Sequence, residues 1–391
     1  MGLLLPLLLT AAVVLATATA PVPIERLGLY LPGFYETTPV VLRGRLLLVE
    51  CIHAGRPMLA SPAAAAAEPF PNHTYYRVRE PGYGGELVVP VVPGSVGFHF
   101  VSALVVPDAD AESGESLWLS GTVDPPLSGG PHGRTQIFTW VSKDAGLRNW
   151  TRSMALQLPA GYSAWNTDMA PAAGNGSFVM AIELQAPGSI VGTPFSTAFA
   201  MCDNCGSDLS NGWQLLNAST HLFTKSRYNA CPTIRYLPSD GYYYLLTLFS
   251  AVPPAGTYDT VIVRSKDLSS ASWSPAPSAP RIVLAPDNRP GSLEHQVMPG
   301  STLDMCGEEC QRWNGSVVPP KEMSGTAFRA NAANYTDVDA SDIDFVQLPN
   351  GSTYIVYCTG NQQYGYAYNA AARVNATEEV WLQSFFEGER H

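Results

Sequence analysis

Six carboxylates stand at the start or the end of short apolar runs: Glu36, Glu50, Asp168, Glu183, Asp342 and Asp344. Two carboxyls flanking an acetal, one protonated and one ionised, supply the acid and the base that its cleavage requires. A third nearby keeps their protonation states apart, because like charges push pKa values in opposite directions. Aromatic and amide groups beside such a pair suit sugars, which offer apolar ring faces and hydroxyl edges. His53, Trp165, Asn166, Tyr228, Arg235, His295, Asn361 and Gln362 lie in adjoining segments and are the candidate binding residues. Structural alternatives stand beside these readings. Glu50 and Glu183 also suit strand ends in solvent or pairing with an arginine, and Asp344 also suits a turn cap or a cation site. Arg235, inside an apolar strand, also suits a tie between sheets. Cys231 reads as a small buried side chain, since no Cys–His motif accompanies it. Asp240, in Ser239-Asp240-Gly241, reads as a turn residue.

The elements that must position these residues form an internal repeat. A turn followed by an alternating apolar strand recurs five times: Gly44–Glu50, Glu115–Gly121, Gly176–Glu183, Gly241–Thr247 and Gly351–Cys358. A Ser-x-Asp turn followed by Trp recurs three times: Ser142 and Asp144 with Trp150, Ser207 and Asp208 with Trp213, and Ser265 and Asp267 with Trp273. Each of these turns follows another β-rich stretch. Four antiparallel strands per unit and five units in a row predict an all-β, five-bladed β-propeller around a central channel; a two-sheet sandwich is the alternative. The units fall at residues 34–97, 98–160, 161–222, 223–285 and 335–391. Residues 286–334 fit no unit and read as a rim or lid insertion. Residues 22–33 are expected to close the ring, with Val380–Phe386 as a further strand. Within a unit, the start of the innermost strand and the end of the second lie on one face. That face would bring all six carboxylates to one mouth of the channel, with the Ser-Asp turns on the opposite face.

Met1–Ala20 carries an apolar run ending in Ala18-Thr19-Ala20, the pattern of a cleaved signal peptide, which leaves 21–391 as a single domain. Asn-x-Ser/Thr acceptors begin at Asn72, Asn149, Asn175, Asn217, Asn314, Asn334, Asn350 and Asn375, which agrees with a secreted, extracellular glycoprotein. In that compartment cysteines pair: Cys202 with Cys205 and Cys306 with Cys310 are close in sequence, and Cys51 with Cys358 hold equivalent repeat positions. The net charge of −11, with only 22 Lys and Arg, argues against nucleic acid or an anionic membrane as a partner. A carbohydrate ligand and a monomer are expected. No cofactor is required by this chemistry and no metal-ligand set is read, although the acidic channel could hold a structural calcium.

The Ser-Asp-Trp turns, Cys231-Pro232-Thr233-Ile234-Arg235-Tyr236 with Asp240-Gly241-Tyr242, and Ser341-Asp342-Ile343-Asp344 resemble blades of the five-bladed propeller glycosidases. These are the arabinanase and xylosidase group, glycoside hydrolase family 43, with relatives that include anhydrogalactosidases and fructan-cleaving enzymes. The resemblance implies one active site at the channel mouth and, for many members, inversion by an Asp base, a Glu acid and a second Asp that tunes the acid. Carried over, Asp342 is the base, Asp168 the tuning carboxyl and Glu183 the proton donor. Two departures bear on that assignment. Cys231-Pro232 stands where relatives often show Glu before Pro, and Glu36-Thr37-Thr38-Pro39 where they often show Asp-Pro. The expectation is a secreted glycosidase acting on plant- or algal-type poly- or oligosaccharides. The alternatives are a propeller that binds carbohydrate without cleaving it, or a secreted interaction scaffold.

Overall fold

A computed structural model describes residues 21–32, 36–52, 70, 73–81, 85–123, 134–174, 176–187, 196–203, 205, 212–217, 220–222, 228–250, 259–276, 282–284, 339–361 and 366–387. The expected signal segment 1–20, the insertion 286–334, His53, His295, Gln362 and the pair Cys306 and Cys310 lie outside the described residues.

Five antiparallel sheets follow one another along the chain. Strand β1 (Ile24–Pro32) opens the chain, and blade 1 comprises β2 (Thr37–Leu42), β3 (Arg45–Ile52), β4 (Tyr75–Arg79) and β5 (Leu87–Val89). Blade 2 comprises β6 (Phe98–Pro107), β7 (Glu115–Val123), β8 (Gln136–Ser142) and β9 (Thr151–Gln157). Blade 3 comprises β10 (Ser163–Pro171), β11 (Phe178–Gln185), β12 (Ser196–Cys202) and β13 (Trp213–Leu215). Blade 4 comprises β14 (Tyr228–Leu237), β15 (Tyr242–Ser250), β16 (Asp259–Ser265) and β17 (Ser274–Pro275), with β18 (Ile282–Leu284) also paired to β16. Blade 5 comprises β19 (Asp339–Gln347), β20 (Thr353–Asn361) and β21 (Tyr366–Val374), and its outer strand is β1 (Ile24–Pro32). The first strand of every blade packs against the first strand of the next, and β19 returns to β2. That closed ring is a five-bladed propeller.

The local sequence explains the blades. The turn between the first and second strands carries Gly44, Gly114, Gly176, Gly241 or Gly351, each at φ between 73° and 83°, a conformation that glycine takes without steric cost. The core is divided among the gaps between blades. Val49, Tyr76, Leu117 and Trp140 fill the first gap, and Trp118, Met169 and Ile182 the second. Phe199, Ile234 and Leu245 fill the third, Tyr244, Phe345 and Trp381 the fourth, and Leu48, Tyr75 and Val356 the fifth.

The Ser-Asp turns at Asp144 and Asp267 lie on the face predicted for them, and Ser207 and Asp208 lie outside the described residues. Asp144 accepts the backbone N–H groups of Gly146, Arg148 and Asn149. Arg43, in the β2–β3 turn, donates to the Asp144 carbonyl at 3.2 Å and to the Ala145 carbonyl, so both turns share the face opposite the mouth. Trp150, Trp213 and Trp273 all pack on clusters between blades.

Two expectations are corrected. Val380–Phe386 forms no strand: Glu378–Ser384 is a helix, α1. The Thr377 hydroxyl accepts from Val380 N–H as its N-cap, Glu378 and Glu379 occupy the first turn, and Trp381, Leu382, Phe385 and Phe386 recur at helical spacing and are buried against blades 4 and 5. Among the described residues, β1 alone closes the ring. No disulfide joins Cys51 to Cys358; the two thiols are buried in different clusters, one between blades 1 and 2 and the other between blades 4 and 5. Cys202 and Cys205 are bonded.

Candidate active site

The same irregularity interrupts the inner hairpin of four blades. Two residues of the first strand oppose one of the second: Phe100 and Val101 face Gly121, Trp165 and Asn166 face Glu183, Cys231 and Pro232 face Thr247, and Asp342 and Ile343 face Tyr357. Phe100, Cys231 and Asp342 adopt φ of 60°, 49° and 50°. Such bulges kink the strand and re-aim side chains, and they recur beside active sites. Here they sit at one end of the channel. Glu36, Thr37, Val101, Ser102, Asn166, Thr167, Asp168, Cys231, Pro232, Thr233, Asp342, Ile343 and Asp344 are among the residues lining a cavity of about 40 Å³, and all five blades contribute.

Glu183 stands opposite the blade 3 bulge, where β10 leaves the ladder. It is 3% exposed. Asn166 Nδ2 donates to its Oε2 at 2.8 Å and Cys231 N–H donates to the same oxygen at 3.1 Å. Burial, helped by the charge of Asp342 and resisted by these two donors, raises its pKa to about 7. A carboxyl in that condition holds a proton near neutral pH and can release it. Asp342 is half-buried, and the Ser341 hydroxyl donates to its Oδ2 at 2.7 Å.

Asp168 and Asp344 form the floor. Arg235 reaches Asp168 at 2.9 Å, Asp344 at 2.7 Å and Glu378 of α1 at 2.9 Å. Asp168 also accepts from the Ser102 hydroxyl at 2.8 Å and from Ile234 N–H at 2.7 Å. Burial raises the pKa of Asp168, of Glu378 and of Asp344, the last to about 7, while Arg235 opposes the shift in all three. Three carboxyls around one guanidinium leave excess negative charge, and low solvent access converts that excess into proton affinity. Arg235 thus ties blades 3, 4 and 5 to α1.

The other expected residues are placed as follows. Glu36 is buried in the cavity wall. Glu50 is fully buried and accepts from Arg77 at 2.6 Å, the cross-strand residue of β4, outside that wall. Trp165 lies at the blade 3 bulge with the Arg134 guanidinium 4.0 Å above its ring and the Phe100 ring 5.5 Å away. Tyr228 and Asn361 occupy the start of β14 and the end of β20. Among the described residues no cluster of His, Cys, Asp and Glu is arranged to hold a metal ion.

Sequence reasoning missed Glu378, just ahead of the Val380–Phe386 segment read as strand, although Thr377-Glu378-Glu379 is a helix-start signature. It also missed the bulges. Pro232 was the available signal, because a proline inside a central strand is confined to bulges or strand starts.

No protein-family pattern matches the chain, and no curated protein matches it in sequence. Solved structures do match it. The family 93 α-L-arabinofuranosidase of Fusarium graminearum, solved with arabinobiose, is 13% identical with a TM-score of 0.50 over 90% of this chain and 97% of that one. An arabinanase of Bacillus subtilis is 12% identical with a TM-score of 0.49 over 88% and 94%. A family 43 protein of a Bacteroides ovatus xyloglucan locus is 13% identical with a TM-score of 0.46 over 92% of this chain, which spans 56% of that longer one. At such identities the likeness is one of fold alone, and it is carried by the Fusarium graminearum arabinofuranosidase.

Proposed function

We propose that this chain is a secreted glycoside hydrolase of plant- or algal-type poly- or oligosaccharides, with Glu183 as proton donor, Asp342 as base and Asp168 as the carboxyl that tunes the donor. The observation that carries the reading is Glu183: a buried carboxyl with pKa raised to about 7, beside the charge of Asp342, at a bulge on the channel mouth. Glu183 gives its proton to the glycosidic oxygen as the bond from that oxygen to the anomeric carbon breaks. Asp342 takes a proton from a water whose oxygen bonds to the same carbon from the opposite side, so the configuration inverts. One sugar leaves as an alcohol, the other as a hemiacetal, and the two carboxyls exchange protonation states. Glu36, Asn166 and Asp344 would contact the sugar from the wall, with Trp165 next to Asn166 at the blade 3 bulge.

Export belongs to the proposal. The Cys202–Cys205 disulfide suits an oxidising compartment. Asn149, Asn217, Asn350 and Asn375, all glycan acceptors in the sequence, are exposed. The fold shared with an arabinofuranosidase puts arabinose-containing oligosaccharides first among substrates to try. The test is release of reducing ends from a panel of arabinan, xylan, galactan and algal polysaccharides by the purified chain and by Asp342→Asn and Glu183→Gln. Product formation that falls at least 100-fold in both variants is expected. Activity that survives both changes removes the assigned roles.

A further inference from the structure

The bulge of blade 4 sets a thiol among the carboxyls. Cys231 lines the cavity at φ 49°, a conformation that costs a residue with a Cβ and persists only where its surroundings impose it. Its N–H donates to Glu183 Oε2 at 3.1 Å. Asn166 Nδ2 donates to its Sγ at 3.3 Å and to Glu183 Oε2 at 2.8 Å, so residues from blades 3 and 4 interlock around one carboxylate oxygen. The thiol is also hydrogen-bonded to the side chain of Asp342. The next residue, Pro232, has no N–H to leave unpaired where the ladder opens. One residue therefore touches both members of the proposed acid–base pair.

We propose that Cys231 is a positioning residue for that pair, a neutral spacer that holds Glu183 through its backbone N–H and Asp342 through its thiol and so sets the separation of the two carboxyls. The chemistry rests on the hydrolase reading; the geometry rests on the hydrogen bonds alone. A carboxylate here would be a further like charge beside Glu183, Asp342 and Glu36. Burial, followed by the charges of Asp342 and Glu183, pushes the Cys231 thiol well up, so it stays uncharged and serves as a donor.

Three variants separate its parts. Cys231→Gly keeps the N–H, relieves the positive φ and removes the thiol. Cys231→Ala removes the thiol and keeps the Cβ, which guards against a folding change caused by glycine. Cys231→Ser restores a donor and an acceptor. Loss of the thiol takes a donor from ionised Asp342, so the acidic limb of the pH–activity profile should move up by about half a unit in both the Gly and Ala variants. The value of kcat should fall roughly tenfold with KM little changed, since binding is kept and alignment is lost. Serine should return most of the shift.

The same displacement is readable without substrate. Infrared difference spectra of the carboxyl bands, titrated with pH and assigned through Glu183→Gln and Asp342→Asn, should show the Asp342 band moving in the Gly and Ala variants. Carboxyl titrations that coincide with wild type in both variants overturn the positioning role. A displaced band without turnover of any glycoside supports that role and removes the hydrolase reading instead.

Discussion

At the scale of the residue, Glu183 carries a stability cost that can be measured apart from catalysis. Its ordinary pKa is 4.5 and its folded value about 7, so the folded state holds this proton more tightly than the unfolded state. The folded state therefore binds more protons between those values, and stability falls as pH rises through that window. Replacement by neutral Gln should remove the loss: Glu183→Gln should match wild type near pH 4 and exceed it by on the order of 3 kcal/mol near pH 8 in denaturant unfolding. Equal stability at both pH values would mean that Glu183 is not held protonated. The sequence made Glu183, Asp168 and Asp342 legible as acids on a shared face, because strand ends and starts alternate faces in a known order. It could not show that Asn166 and Cys231 bind the same oxygen of Glu183, since those contacts join separate blades. Nor could it decide between a site and an ion pair for Glu50, whose partner Arg77 stands on a different strand.

At the scale of the element, bulges and the C-terminal helix shape the mouth. A period-two reading of β19 puts Asp342 and Asp344 on one face of a regular strand. The bulge instead leaves Asp342 at positive φ and returns Asp344 to the ladder, so one acid acts on Cys231 and, through its charge, on Glu183, while the other meets Arg235. Helix α1 supplies the third carboxyl on Arg235. Arg235→Met should leave Asp168, Asp344 and Glu378 buried without their cation and cost about 3 kcal/mol near pH 8. Near pH 4 the loss should shrink, because burial shifts all three carboxyls toward the protonated form and lowers the charge that Arg235 offsets. Chemical denaturation at the two pH values checks both statements; a loss independent of pH would show that stacking of the Arg235 guanidinium over the Phe345 ring, 4.5 Å from its centroid, dominates. Thr377→Ala should cost about 1 kcal/mol through its N-cap, read in the same way. The helix escapes sequence reading because the apolar residues of Val380–Phe386 also suit a strand; the Thr377-Glu378-Glu379 start decides for a helix.

At the scale of the whole molecule, ring closure is the decisive event. Strand β1 from the start of the chain pairs with β21 near its end, from Ile24 opposite Val374 to Pro32 opposite Tyr368. Removal of residues 21–32 should expose the edge of β21 and broaden or split the thermal unfolding transition, because blade 5 loses its outer strand while blades 1 to 4 keep theirs. A single transition unchanged in midpoint would contradict that role for β1. The five-fold rhythm was legible because each blade repeats the same glycine turn and apolar hairpin. The closing register was not, because it pairs segments separated by almost the entire chain. The proposed function is that this ring gathers carboxyls from separate blades into an acid–base pair. Its most direct test is the pH dependence of kcat/KM on an arabinose-containing substrate for wild type and Glu183→Gln. Wild-type activity should decline as pH rises through about 7, and the variant, with residual activity at least 100-fold lower, should lose this limb. An alkaline limb that persists unchanged in Glu183→Gln would contradict it.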